Sequence, residues 1–279
     1  MTMKTPKVSI ITINFNDREG LEKTILSVRN QDFDQYEHVV IDAGSKDGSV
    51  DVIKKYKDKI SHWVSEKDKG IYDGQNKGIL ASKGEYCLFL NSGDFLVDSN
   101  VLKDVLSKNP TEDFLYGDML IDSGSGNVVY GKSPEDLDLY FLSYGVLWHC
   151  VTFIRRSLFK KFGMYDTSYK IAADVDFFLK AIGVGASSWK YISKRPISQF
   201  NTFGFGSNPK NEKLLEEERA RMRKFYLSPA TLNLLAQYHV MRKDYRVFSY
   251  FYLPQILNFF RNISFLRSLI RKFFQFLNR

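Results

Sequence analysis

Val8-Ser9-Ile10-Ile11-Thr12-Ile13, followed by Asn14-Phe15-Asn16-Asp17, is the stretch on which the fold turns. Its first part is a run of β-branched and apolar residues bounded by a polar turn, the pattern of a buried strand. Beyond the turn Leu21, Ile25 and Val28 recur on one face of a helix. The order of strand, polar loop and helix then repeats. His38-Val39-Val40-Ile41 ends at Asp42 and the turn Ala43-Gly44-Ser45-Lys46-Asp47-Gly48, with Val52, Ile53 and Tyr56 on the helix after it. A strand over 62–65 leads through Glu66-Lys67-Asp68-Lys69-Gly70 to a helix over about 71–81, and a strand over 86–90 stops at Asn91-Ser92-Gly93-Asp94. This alternation predicts βαβ units on a mostly parallel central sheet with helices on both faces, an α/β fold.

From Phe114 onward, glycines at 117, 124, 126 and 131 punctuate mixed strands, and helices are expected over about 172–182 and 211–225. The 279 residues suit one large domain, or one domain with an appendage. With 44% hydrophobic and 26% charged residues the chain has ordinary globular usage, which excludes a disordered tail or a disulfide miniprotein. Cys87 lies in an apolar run and Cys150 follows His149; two cysteines build neither a disulfide framework nor a four-cysteine zinc site, and read as free thiols in a reducing cytosol. The first strand is reached with no apolar segment of signal-peptide length before it, so a cytoplasmic location is expected.

The net charge of +8 is unevenly spread. Residues 242–279 hold eight basic residues and one acid, whereas the first 241 hold 32 basic and 31 acidic groups. The body is neutral, so no nucleic-acid partner is expected, and the tail is basic. Within the tail, residues 247–260 carry no formal charge but are interrupted by Pro254. As a helix this stretch reaches about 21 Å, short of the roughly 20 apolar residues that cross a bilayer. Leu266, Leu269, Ile270, Phe273 and Leu277 then recur at helical spacing with Arg267, Arg271 and Lys272 largely off the stripe, the pattern of a helix lying in a membrane interface. A helix docked on the domain's own core is the alternative. The expected division is a domain over 1–228, with halves of about 1–112 and 113–228, and a helical, basic and aromatic extension over 229–279.

Three polar loops thus stand at the carboxyl ends of consecutive strands, where open parallel sheets bind ligands. Asp42 in the first can accept hydrogen bonds from a nucleobase or ribose, or only satisfy its own turn. The second and third loops, around Asp68 and Asp94, repeat the placement. No G-x-G-x-x-G follows the first strand, which argues against a dinucleotide oxidoreductase, and no basic Gly-rich phosphate loop is there to suit a nucleotidyltransferase.

On these motifs the chain resembles family 2 glycosyltransferases. The similarity is carried by Val8 to Asn16, Val40 to Ser49, Ser65 to Gly78 and Phe89 to Asp94. Downstream it continues in Trp148-His149, Arg155-Arg156-Ser157-Leu158-Phe159, Gly163-Met164-Tyr165-Asp166 and Ala172-Ala173-Asp174-Val175-Asp176. It runs from about Val8 to Phe200 and is nearest the bacterial subgroup of O-antigen and capsular polysaccharide assembly. The resemblance implies a GT-A fold, Rossmann-like in its nucleotide-sugar half, and transfer from a nucleotide-diphosphate sugar, a UDP-sugar first. The implied acceptor is a saccharide carried on a polyprenyl-diphosphate lipid, at the inner face of the cell membrane.

It also implies roles. Thr12, Asn14, Asn16, Asp42, Asp68, Gly70, Asn76, Lys77, Asn91 and Ser92 would line the nucleotide-sugar site, with Lys77 either on the diphosphate or solvated. Asp94 would hold a divalent metal, Mn²⁺ or Mg²⁺, although Asn91 stands where the family often has its first Asp. Asp174 would be the general base, with Ala173 in place of the family's Glu. Trp148, His149 and Asp176 would contact acceptor or phosphate, His149 and Asp176 having bland readings as a core histidine and a structural acid. A membrane-peripheral protein that binds nucleotide sugars without turnover is the non-catalytic alternative.

Overall fold

A computed structural model describes residues 5–122, 124, 127–202 and 204–247. In its first part β1 (Val8–Asn14), α1 (Arg18–Arg29), β2 (Tyr36–Asp42), α2 (Ser49–Lys55), β3 (His62–Ser65), α3 (Ile71–Ala81) and β4 (Tyr86–Phe89) follow the expected alternation. Asp17 caps α1 by accepting from Gly20 N, and Gly48 and Gly70 open α2 and α3 at φ of 93° and 124°, values that favour glycine. After β4 come β5 (Phe95–Leu96), α4 (Val101–Leu106), the hairpin of β6 (Phe114–Asp122) and β7 (Val128–Gly131), α5 (Leu139–Tyr144), β8 (Thr152–Arg155) and α6 (Ser157–Phe162). The helix expected over 172–182 is α7 (Ala173–Phe178), continued by a π-helical turn over Leu179–Val184. It is followed by β9 (Trp189–Asn201) and α8 (Glu212–Tyr226).

The sheet order is β3-β2-β1-β4-β8-β6-β9-β5, with β7 on β6. Pairings β1–β2, β1–β4, β2–β3 and β6–β9 are parallel and the others antiparallel, so the half containing β1 to β4 is wholly parallel and the rest is mixed. Helices cover both faces. On one, Ile11, Ile41 and Phe89 pack with α3, α5, α6, α7 and α8; on the other, Ile10, Leu88 and Phe153 pack with α4, and Leu21, Ile25 and Val52 join α1 and α2 to Val40. Cys87 and Cys150 are free and buried, as the sequence predicts.

Gly74 and Gly78 set the distance of α3 from the sheet. A Cβ at 78 would stand 2.3 Å from Ile11 Cγ2, and one at 74 would stand 3.3 Å from Ile13 Cγ2 and 3.2 Å from Asp68 Oδ2. Two bare positions a helical turn apart let the helix lie directly on β1.

His38 is 1% exposed and lies 2.9 Å from Thr12 Oγ1. Burial drives its pKa from 6.5 down to about 3. The unfolded chain takes up that proton near its ordinary value and the folded chain does not, so this stability is present above about pH 6.5 and lost as pH falls toward 3. Melting temperature is expected to fall between pH 7 and 5, and His38→Gln should flatten that slope; an unchanged slope in the variant would assign the acid limb to other groups.

Contacts divide the chain into Met1–Tyr226 and Leu227–Arg279. In the second unit the described element is α9 (Pro229–Val247). The interfacial helix expected over 266–277, and the uncharged stretch beyond residue 247, lie outside the described residues.

Candidate active site

Parallel register puts Asn14 beside Asp42, and Asp42 beside Ser65, at the carboxyl ends of β1, β2 and β3. Asp42 is fully buried and its two oxygens are saturated: Oδ1 accepts from Asn14 Nδ2 (2.7 Å) and Ser45 Oγ (2.5 Å), Oδ2 from Ser45 N (2.9 Å) and Ser65 Oγ (2.6 Å). Burial pushes its pKa up, but these donors outweigh burial and hold it below the ordinary value. Asn16, at φ 50°, donates its N–H to Ser45 Oγ (2.8 Å) and accepts Lys46 N (2.9 Å). Asp42, Asn14, Asn16 and Ser45 therefore latch the first two loops together. Thr12 lies a layer below, fully buried on His38. Phe15, which sequence reasoning passed over, is 65% exposed between the two asparagines and offers a flat apolar face beside these loops.

Asp68 is half-buried, and its Oδ1 accepts Gly70 N at 3.0 Å. Burial raises its pKa, with the charges of Asp73 and Asp42 adding to the rise against Gly70 N–H and Lys77. A half-buried carboxylate under this strain is a ready acceptor for a ligand's hydroxyl or N–H. Lys77 is ion-paired with Glu66 (2.8 Å) and lies 3.8 Å from Asp73. Asn76 holds the backbone of Tyr165 in both directions, donating to its carbonyl at 2.8 Å and accepting its N–H at 3.0 Å. Both side chains are committed to protein partners.

Deeper in, four elements converge. Ser92 N donates to Ile13 O (3.0 Å), tying the third loop to β1, and β5 pairs with β9 so that Asp94 Oδ1 accepts Asn201 N at 3.1 Å. Asp94 is 2% exposed, and its Oδ2 has no hydrogen-bond partner among the described residues. Burial lifts its pKa to about 7 against His149 and the N–H groups of Asn201 and Asn91. His149 stands between two carboxylates, Nε2 4.0 Å from Asp94 Oδ2 and Nδ1 3.4 Å from Asp174 Oδ2. Its burial favours the neutral ring, but Asp174 and Asp94 outweigh that and raise its pKa. Asn91 takes Gln75 Nε2 on its Oδ1 (3.4 Å) and turns Nδ2 toward His149 Nε2 (3.2 Å), which in the neutral ring leaves the proton on Nδ1, facing Asp174.

Asp174, 8% exposed, accepts the Tyr72 hydroxyl on Oδ1 at 3.1 Å; the same hydroxyl reaches Ile171 O. Asp176 faces the other way, with Tyr226 OH 3.4 Å from Oδ2, and burial raises its pKa. Trp148 packs its ring into the apolar layer beneath α4, and its carbonyl accepts Thr152 Oγ1 at 2.7 Å. The structure thus gathers Asn91, Asp94, His149 and Asp174, and adds Tyr72, Gln75 and Asn201, which sequence reasoning did not single out. Among the described residues no group of three His, Cys, Asp or Glu side chains is placed to hold a metal. The buried Asp94 Oδ2, with no hydrogen-bond partner among the described residues, does fit a protein ligand of a divalent cation, and His149 Nε2 would join it on giving up the contact with Asn91 Nδ2.

A model of glycosyl transferase family 2 matches residues 9–163. The chain belongs to glycosyl transferase family 2. An uncharacterized glycosyltransferase of Mycobacterium tuberculosis is 34% identical over 209 residues, 73% of this chain and 78% of that one. A PGL/p-HBAD biosynthesis glycosyltransferase of Mycobacterium bovis is 28% identical over 212 residues, covering 74% and 81%. Among solved structures, S. aureus TarS 1–349 in complex with UDP aligns with a TM-score of 0.64 at 21% identity, over 82% of this chain and 69% of that one. Of the longer TarS chain the match spans 36%. Mannosyltransferase PcManGT from Pyrobaculum calidifontis, in complex with GDP-Man and Mn²⁺, aligns with a TM-score of 0.55 at 16% identity, over 88% and 84%. This glycosyl transferase family 2 chain has the GT-A fold that its motifs imply.

Proposed function

We propose that the protein transfers a sugar, with inversion, from a UDP-sugar to a saccharide acceptor on a lipid carrier, in cell-surface polysaccharide or glycolipid assembly. The observation that carries this is the placement of Asp174, a buried carboxylate in contact with Tyr72 and His149, with His149 in turn beside Asp94 of the third strand-end loop. An acceptor hydroxyl there gives its proton to Asp174 as its oxygen bonds to the anomeric carbon, and the bond from that carbon to the diphosphate breaks with its electron pair leaving on UDP. One carboxylate suffices for inversion, and Asp176, turned toward Tyr226, is no second nucleophile beside it. Asp94 and His149 would hold a divalent cation, which when bound supplies charge neutralisation for the departing diphosphate. Asp68 accepts hydrogen bonds from the nucleoside, and Phe15 stacks on its base.

The names of relatives support a biosynthetic glycosyltransferase, one of them acting in PGL/p-HBAD biosynthesis, and the complexes of TarS with UDP and UDP-GlcNAc support a UDP-sugar donor. Attachment to the inner face of the membrane through the basic tail rests on composition; among the described residues no helix is long and apolar enough to cross a membrane.

A thermal-shift series with UDP-, GDP-, CMP- and dTDP-sugars, followed by UDP release with and without a lipid-linked acceptor, tests the proposal. Acceptor-stimulated release is expected; donor protection without any turnover would leave the non-catalytic binder standing. Phe15→Ala should weaken UDP binding by about 5- to 100-fold, since stacking on a base contributes roughly 1–3 kcal/mol, measurable by calorimetry. Unchanged affinity would place the base elsewhere.

A further inference from the structure

Asp174 is the second residue of a six-residue helix whose leading positions, Ala172 and Ala173, have no side chain that can cap a backbone N–H. The loop that leads into it is held instead by a distant element. Glu218 of α8, 7% exposed, accepts from the backbone N–H groups of Lys170 (2.6 Å), Ile171 (3.0 Å) and Ala172 (3.0 Å). On the carbonyl side of the same loop, the single Tyr72 O–H from α3 is shared between two acceptors, Ile171 O and Asp174 Oδ1. The approach to Asp174 is gripped through its N–H groups by one helix and through a carbonyl by another.

We propose that Glu218 is a positioning residue for transfer, acting through the loop 170–172 to set where Asp174 meets the acceptor hydroxyl. The inference rests on Asp174 being the base. Glu218 bonds to consecutive N–H groups of this loop, while the pocket frame at Asn14, Asp42, Ser45 and Ser65 is held by its own hydrogen bonds. Charge-assisted bonds of this kind are the strong, directional ones, and three on one loop fix it more tightly than packing alone. A reacting group misplaced by about 1 Å costs on the order of 10²-fold in rate.

The test uses the full chain and Glu218→Gln, which keeps the shape but removes the charge and one acceptor. Turnover is expected to fall about 10- to 100-fold while donor KM and UDP affinity stay within about two-fold, the order expected of a misplaced base. Combined with Asp174→Asn, Glu218→Gln should cause no further loss, because a residue acting through another is silent once that other is gone. Tyr72→Phe, which deletes one oxygen from the opposite side, should show the same split and serves if Glu218→Gln fails to fold. More than half of wild-type turnover in folded Glu218→Gln overturns the proposal, as does loss of UDP affinity in parallel with rate or a further loss in the double variant. Full activity in Asp174→Asn alone would instead overturn the base assignment, and the proposal with it.

Discussion

Asp174→Asn is expected to lower turnover by about 10²- to 10⁴-fold, the usual worth of a general base, with UDP binding close to wild type. Asparagine is the same size and still offers an oxygen to the Tyr72 hydroxyl, so the hydrogen bond from α3 survives. What it cannot do is take a proton. The proposed nucleotide site lies around Asp42 and its donors on other loops, which makes calorimetric UDP affinity the control for folding. If the variant kept more than half of the wild-type rate, the proton would have to go to His149 or Asp176. His149 is the nearer of the two, its ring 3.4 Å from Asp174 Oδ2, and it would serve only as the tautomer that leaves Nδ1 without a proton.

The second large effect is expected at Asp94, and it has two signs. If Asp94 holds the cation as proposed, Asp94→Asn should abolish the Mn²⁺-dependent part of UDP binding, because it removes the negative charge from the pair Asp94 and His149. The same change should raise the melting temperature of the nucleotide-free protein at pH 8. Burial lifts the Asp94 pKa from 3.8 to about 7, so the folded state holds its proton more tightly than the unfolded state does. Stability from the neutral carboxyl is full below about pH 3.8 and is lost as pH rises through 7. Above that the wild type carries a buried charge with an unpartnered oxygen, which the amide replaces. A variant that melts lower at pH 8 would mean that Asp94 is stabilised by something other than a bound cation; wild-type activity unaffected by excess EDTA would remove the cation from the reaction.

The parallel half was legible in the sequence because each strand there is apolar, ends in a polar loop and is followed by a helix with one apolar face. The helix α3 begins after Gly70 and ends at Ala81, the limits that the pattern predicts. The other half resisted for a physical reason. Strand β9 runs for 13 residues through Lys190, Lys194, Arg195 and Pro196, and its pairing with β6 shifts register three times, so no alternation survives to be read. In the site, Asp42 was legible as a strand-end acid, but the donors that saturate it come from Ser45, Ser65 and Asn14, and only register brings them together. Asp94, His149 and Asp174 belong to separate elements, and nothing local in sequence tells that an imidazole stands between two carboxylates. Glu218 reads as one acid among several on a charged helix until the loop it holds is seen.

The close seating of α3 on β1 bears on how selectively a base at Asp174 would act. Gly74 and Gly78 let that helix lie directly on the sheet, and from it the Tyr72 hydroxyl reaches Asp174. A carboxylate that accepts a proton from a sugar hydroxyl accepts one from water as well. On the proposed mechanism, water that reached Asp174 ahead of the acceptor would hydrolyse the donor, so fidelity of transfer would depend on how well the acceptor excludes water from that carboxylate.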